Sequence, residues 1–172
     1  KRFGSEAGLD WGLAIACLPQ GGVAIAAAAG GGASLAFEGQ AIPDIGEDAL
    51  VVYKLTEEGV LLDHAAATGG LPARLVMAVG HDGSCYVGGE LMGPHLDLGV
   101  GVVSGPYCGF LAALSPTNEW SWVRGFEGAY FAEVTDLMID PAGELVALGD
   151  FTGPFMHMGD VVFTGFPMVD NV

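Results

Sequence analysis

The chain has 172 residues, of which 51% are hydrophobic, 15% are charged and 29 are glycine. Five Lys and Arg stand against 21 Asp and Glu, a net charge of −16, which argues against a nucleic-acid partner because phosphate binding needs a basic face. Abundant apolar residues exclude a disordered chain. Prolines and glycines interrupt the most apolar stretch, Gly12–Phe37, so no transmembrane helix is expected.

Alternation of apolar and polar residues with period two, punctuated by frequent turn residues, predicts short β-strands along the whole chain. In chain order the predicted strands are Trp11–Cys17, Val23–Ala29, Ser34–Ala41, Asp48–Leu55, Val60–Ala67, Arg74–Val79, Ser84–Leu91, Leu96–Val103, Tyr107–Leu114, Glu119–Phe126, Thr135–Ile139, Glu144–Phe151 and Phe155–Phe163.

The segment at 88–105 recurs at 148–165, so the chain contains an internal repeat of about sixty residues. The repeated positions are Gly89, Gly93, Pro94, Gly99, Val102 and Gly105, which return as Gly149, Gly153, Pro154, Gly159, Val162 and Gly165. Two glycine columns extend to an earlier copy, Gly21 with Gly83 and Gly143, and Gly46 with Gly105 and Gly165. The predicted units are 1–70, 71–130 and 131–172.

About four antiparallel strands per unit, with a glycine-rich corner at each unit's end, predict an all-β fold made of β-propeller blades. A four-stranded sheet has two apolar faces, so neighbouring blades must stack on it. A β-solenoid is the rival architecture, although its rungs are typically shorter. An immunoglobulin-like sandwich is typically about a hundred residues without such a copy.

We expect an incomplete ring, because fewer than three full blades are present. Residues 1–4 match the end of a preceding blade, with Arg2-Phe3-Gly4 in the column of Arg124-Gly125-Phe126. The third unit reaches Asp170-Asn171-Val172 where earlier units begin their outer strands. The expected partners are therefore other copies of the chain, or other parts of a longer protein, that complete the propeller.

Three segments carry a resemblance to a known family: DPAGELVALGDFTG at 140–153, DALVVYKL at 48–55 and NEWSWVRGFEG at 118–128. Their order resembles the bacterial β-propeller repeats of the SBBP kind over nearly the whole chain. Copy two departs at Cys108-Gly109-Phe110, and copy one has Asp63 in the column of Trp122. The resemblance implies a secreted or cell-surface repeat protein, and it implies little about chemistry.

Histidines and cysteines do not form a predicted site. His64, His81, His95 and His157 fall in different columns without zinc-ligand spacing, so we predict no metal and no cofactor. A ligand pair of His95 and His157 across blades is the remaining alternative. The odd count of Cys17, Cys85 and Cys108 excludes complete pairing within the chain and predicts free, buried thiols, with Cys85 and Cys108 towards opposite ends of paired strands.

Two further residue sets are candidates for binding. Asp136 and Asp140 bracket a strand expected to lie innermost in its blade, and they are the first choice if Ca²⁺ or a polar ligand binds. Their alternative role is to start that strand and to shape its turn. Trp120 and Trp122 alternate, which predicts one shared face, with Trp122 packed between blades and Trp120 packed or stacked on a sugar.

The sequence contains no Gly-x-Ser-x-Gly elbow, and the Gly80–Ser84 segment reads as an ordinary hairpin turn. No catalytic residue is therefore assigned. The predicted function is a non-enzymatic scaffold or interaction module of a secreted or cell-surface β-propeller. The alternatives are a propeller that binds carbohydrate or calcium, possible partners being glycans or proteins, and a fragment of an enzyme whose active site lies elsewhere.

Overall fold

The computed structural model describes residues 3–4, 9–30, 36–37, 40–41 and 48–165, with side chains described for 11–30 and 48–165. Gly46, parts of Ser34–Ala41 and residues 166–172 lie outside the described residues. The strands are β1 (Phe3–Gly4), β2 (Leu9–Cys17), β3 (Val23–Gly30), β4 (Ala36–Phe37), β5 (Gln40–Ala41), β6 (Asp48–Leu55), β7 (Leu61–Thr68), β8 (Pro72–Val79), β9 (Cys85–Leu91), β10 (His95–Asp97), β11 (Val102–Ser104), β12 (Cys108–Leu114), β13 (Trp120–Glu127), β14 (Phe131–Ile139), β15 (Leu145–Thr152), β16 (Phe155–Met158) and β17 (Val161–Thr164).

The all-β prediction is confirmed: the sheets are antiparallel, one of them is curled, and the described residues contain no helix. For the same part of the chain, no helix capable of crossing a membrane is found. Two six-stranded sheets have the orders β11-β10-β7-β6-β3-β2 and β17-β16-β13-β12-β9-β8. A two-stranded sheet, β14-β15, and a three-stranded one, β1-β4-β5, complete the described part.

Each six-stranded sheet combines a meander of four strands with a hairpin that comes from further along the chain. The hairpin β10-β11 pairs with β7, Asp97 opposite Thr68, and the hairpin β16-β17 pairs with β13, His157 opposite Glu127. The short strand β1 pairs with β4 in the same way, Phe3 opposite Phe37. Phe37, Asp97 and His157 are spaced by sixty residues.

The predicted single strands Leu96–Val103 and Phe155–Phe163 are wrong, because each is a hairpin of two short strands. The chain reverses at Gly99 and Gly159, whose φ values of +77° and +60° favour glycine. In the first hairpin the Gly99 N–H also donates to a carboxylate oxygen of Asp97 at 2.8 Å. Period-two alternation continues through such a turn, which explains why the sequence pattern missed it.

The β1 pairing also shifts the predicted alignment of the first residues. In the predicted alignment, Phe3 corresponds to Gly125. In the structure Phe3 pairs with Phe37 as Glu127 pairs with His157, so Phe3 corresponds to Glu127, two residues further along. Residues 1 and 2 lie outside the described part of the chain.

The main hydrophobic core lies between the two six-stranded sheets. Leu50 and Val52 of β6 pack there against Leu75, Val87 and Phe110 of the second sheet. A second core joins that sheet to β14-β15; its buried members include Ala78, Leu111, Phe126, Ala132, Val134, Leu137 and Met156. The second six-stranded sheet therefore buries its two faces against the sheets on either side of it.

Gly89 lies where two backbones approach closely, and this generates a stability prediction. A Cβ there would overlap the Arg74 carbonyl oxygen on β8, so we expect Gly89→Ala to lower the free energy of unfolding by at least about 2 kcal/mol. Gly99→Ala is the control: nothing lies within 4 Å of its Cβ, and only the positive φ costs about 1 kcal/mol. Urea denaturation of both variants measures the difference, and equal losses would contradict this account.

Candidate functional site

Asp136 and Asp140 are not brought together as a ligand set. The Asp140 carboxylate accepts the N–H groups of Ala142 and Glu144, both at 2.8 Å, so it shapes its hairpin turn. Asp136 lies within β14 at a β-bulge instead of starting the strand, and it accepts the N–H of Leu137. Among the described residues, no three His, Cys, Asp or Glu side chains are grouped to hold a metal ion.

The prediction that Trp120 and Trp122 share a face is wrong. A β-bulge at this point sets Trp120 opposite Leu114 and Trp122 opposite Ala113, which are consecutive and therefore face opposite ways. Trp120 packs into the core between the six-stranded sheets, and its Nε1–H donates to the Ala66 carbonyl at 2.9 Å. Trp122 packs on the other side near Tyr86, as expected of a residue between sheets.

The thiols are free, as predicted, but Cys17 is exposed and only Cys85 and Cys108 are buried. Those two lie towards opposite ends of paired strands, Cys85 opposite Leu114 and Cys108 opposite Leu91, as predicted. Burial raises the pKa of both thiols, which disfavours the nucleophilic thiolate.

His95 and His157 lie on two different hairpins, β10 and β16, and His157 makes an edge contact with the Phe155 ring. The turn at 80–84 is an ordinary hairpin turn, as predicted. Its Asp82 carboxylate accepts both the N–H and the hydroxyl of Ser84, and these hydrogen bonds lower the pKa of Asp82.

A charged cluster that sequence reasoning missed lies between the second six-stranded sheet and β14. One guanidinium nitrogen of Arg74 contacts both carboxylate oxygens of Glu133 at 3.3 Å, and Glu90 lies opposite Arg74 across the β8-β9 ladder. Glu90 and Glu133 are 8% and 7% exposed. Burial, and then the Glu133 charge, raise the pKa of Glu90, while Arg74 partly offsets both effects.

An apolar cavity of about 280 Å³ adjoins this cluster, bounded by β14, β15 and the β16-β17 hairpin. Its walls include Phe126, Phe151, Met156, Met158 and Phe163, and its carboxylates are Glu133 and Asp150. Glu90, the carboxyl with the raised pKa, does not line this cavity. The arrangement therefore suits an apolar group next to a cation better than it suits acid–base catalysis.

A second, polar pocket of about 200 Å³ surrounds Lys54, which is 7% exposed. The Lys54 ammonium donates to the carbonyls of Gly83, Ser115 and Pro116 at 3.4, 3.2 and 3.1 Å. The Asn118 amide lines the same pocket, with both polar atoms buried and without a hydrogen-bond partner in the described part of the chain. Lys54 thus holds two turns of the second sheet against the first.

A comparison with profiles of known protein families finds no match to this sequence. A comparison with curated proteins likewise finds no match. The residues of the sites described above are therefore assigned from geometry alone.

Lys54→Met keeps much of the side-chain volume but removes the donor from three converging carbonyls. We expect the free energy of unfolding to fall by about 2 kcal/mol, because buried acceptors lose their partner. Lys54→Arg is the matched control, which keeps the charge and should lose less. Urea denaturation measures both, and a Lys54→Met loss below about 0.5 kcal/mol would contradict the role of this contact.

Glu90→Gln should change the pH dependence of stability. Because the folded-state pKa of Glu90 is raised, its contribution to stability is fully present below the ordinary pKa of about 4.3 and is lost as pH rises through the folded value. The variant should therefore be more stable than the natural protein at pH 7.5, with the difference shrinking towards pH 4. Urea denaturation at both pH values tests this, with exposed Glu119→Gln as the control for losing one charge, and a difference that grows on acidification would disprove it.

Proposed function

We propose that the chain is a non-enzymatic repeat scaffold whose units are blades of a β-propeller, serving as a structural or interaction module. The observation that carries the proposal is the spacing of Phe37, Asp97 and His157, each on a hairpin paired with an earlier strand. A scaffold of this kind needs such links, because a lone four-stranded sheet cannot bury its own faces.

The placement of the first strands supports the same proposal. β2 contacts β8, and β8 contacts β14, so the first strands of successive units lie side by side. In propellers the innermost strands of the blades surround a common axis. Turn geometry repeats as well: Gly105 and Gly165 donate to the carbonyls of Pro94 and Pro154 at 2.8 and 3.0 Å.

The non-enzymatic part of the proposal follows from how the polar residues are used. Asp136 and Asp140 accept backbone N–H groups of residues that follow them in sequence, and Glu90 is buried. Trp120, the candidate for sugar stacking, packs against the core and donates to the Ala66 carbonyl. No specific contact among the described residues favours the carbohydrate or calcium alternative.

The proposal extends to location and partners. An extracellular or cell-surface location is supported by the family resemblance of the three quoted segments. The proposed partners are other copies of the chain or other parts of a longer protein, since the exposed strands β15 and β17 offer surface for further packing.

Duplicating residues 71–130 directly after residue 130 tests the scaffold. If each unit contacts only its neighbours, the extra unit should fold, keep an all-β circular dichroism spectrum and raise the urea m-value by roughly a third. The matched control duplicates only residues 71–100, half a unit, which should aggregate or unfold. A full-unit duplication that is no better folded than the half-unit control would contradict the proposal.

A further inference from the structure

The strand β15 has one paired edge and one open edge in the described part of the chain. It pairs with β14 from Leu145 to Thr152. The two strands that precede it at the same position, β3 and β9, pair on both edges: β3 with β2 and β6, and β9 with β8 and β12. The position next to β15 therefore corresponds to that of β6 and β12.

The cavity beside β15 also has a filled counterpart. At an offset of fifty-nine or sixty residues, its walls Val134, Ala147, Phe151, Met156 and Phe163 correspond to Leu75, Val87, Leu91, Leu96 and Val103. In the second unit those residues form one core cluster together with Cys108 and Phe110 of β12. Phe110 is fully buried and lies opposite Gly89, the counterpart of Gly149.

The charges at the open edge of β15 favour a cationic side chain in a segment that pairs with it. Asp150 corresponds to Glu90, which lies opposite Gly109 of β12. Asp150 is exposed and faces Glu133 across the β14-β15 ladder, so two carboxylates lie together on a chain of net charge −16. A cationic side chain opposite Asp150 would reduce this repulsion.

We propose that the open edge of β15 and the adjoining cavity bind an extended peptide segment as an added antiparallel strand. Backbone hydrogen bonds to β15 hold the segment, and a large aromatic side chain opposite Gly149 fills the cavity. A basic residue next to that aromatic, opposite Asp150, strengthens binding. The inference rests on the proposed function through the correspondence between units.

The probe is a fluorescein-labelled peptide with the sequence of residues 106–115 and Ser in place of Cys108. Added to the full chain, it should show saturable one-to-one binding by fluorescence anisotropy. Phe110→Ala in the peptide should weaken binding at least tenfold, because the cavity then stays unfilled. Gly109→Lys in the peptide should tighten binding at least threefold. This gain in affinity should vanish with Asp150→Asn in the chain or in 1 M NaCl.

Ala147→Trp in the chain should abolish binding by filling the cavity with its own side chain. Val146→Trp is the matched control on the same strand, since Val146 does not line the cavity, and it should retain binding. Circular dichroism of both variants tests whether they are folded.

The proposal is overturned by any of three results. These are that the peptide with Phe110 shows no saturable binding, that the peptide with Phe110→Ala binds equally well, or that Ala147→Trp in the chain has no effect on binding. Self-association of the chain that Ala147→Trp abolishes, without peptide binding, would assign the edge to a second copy and would also overturn it. Failure of the sixty-residue duplication with intact peptide binding counts against the scaffold alone. Successful duplication without peptide binding counts against this docking site alone.

Discussion

The pairing of a hairpin with the last strand of the preceding four-stranded meander is the contact on which the other features depend. It places Asp97 beside Thr68 and His157 beside Glu127, and so ties each sheet to the segment that follows. Glycine is required at the corner, because Gly69 and Gly128 have φ values of +98° and +84°. Their missing Cβ atoms leave room for the rings of His95 and Phe155. The hairpin can therefore pack at this position only because the corner residue is glycine.

This arrangement determines where the few cations go. Lys54 is drawn into the seam between the six-stranded sheets, where three backbone carbonyls replace its hydration shell. Arg74 bridges towards β14 through Glu133 while much of its own side chain remains exposed. Both residues therefore neutralise dipoles or charges at sheet contacts. The chain as a whole carries a net charge of −16, which is consistent with a strongly negative surface.

Local patterns predicted the regular strands and their turns well. The column of Gly21, Gly83 and Gly143 marks three hairpin turns, and all three residues have positive φ. Alternation failed where one residue changes the register: the bulge between the two tryptophans turns Trp120 to the opposite face. The Arg74 and Glu133 contact spans 59 residues of sequence. Without the sheet order, no local pattern indicates that these side chains meet.

The same cluster distinguishes two hairpins that occupy similar places in the sheets. The hairpin β8-β9 has Arg74 opposite Glu90, whereas β14-β15 has Glu133 opposite Asp150. Like charges opposite each other destabilise a ladder, so β14-β15 carries a local cost that β8-β9 does not. Arg74 contacts Glu133 and offsets part of that cost. The stability of β14-β15 consequently depends on a residue of the neighbouring six-stranded sheet.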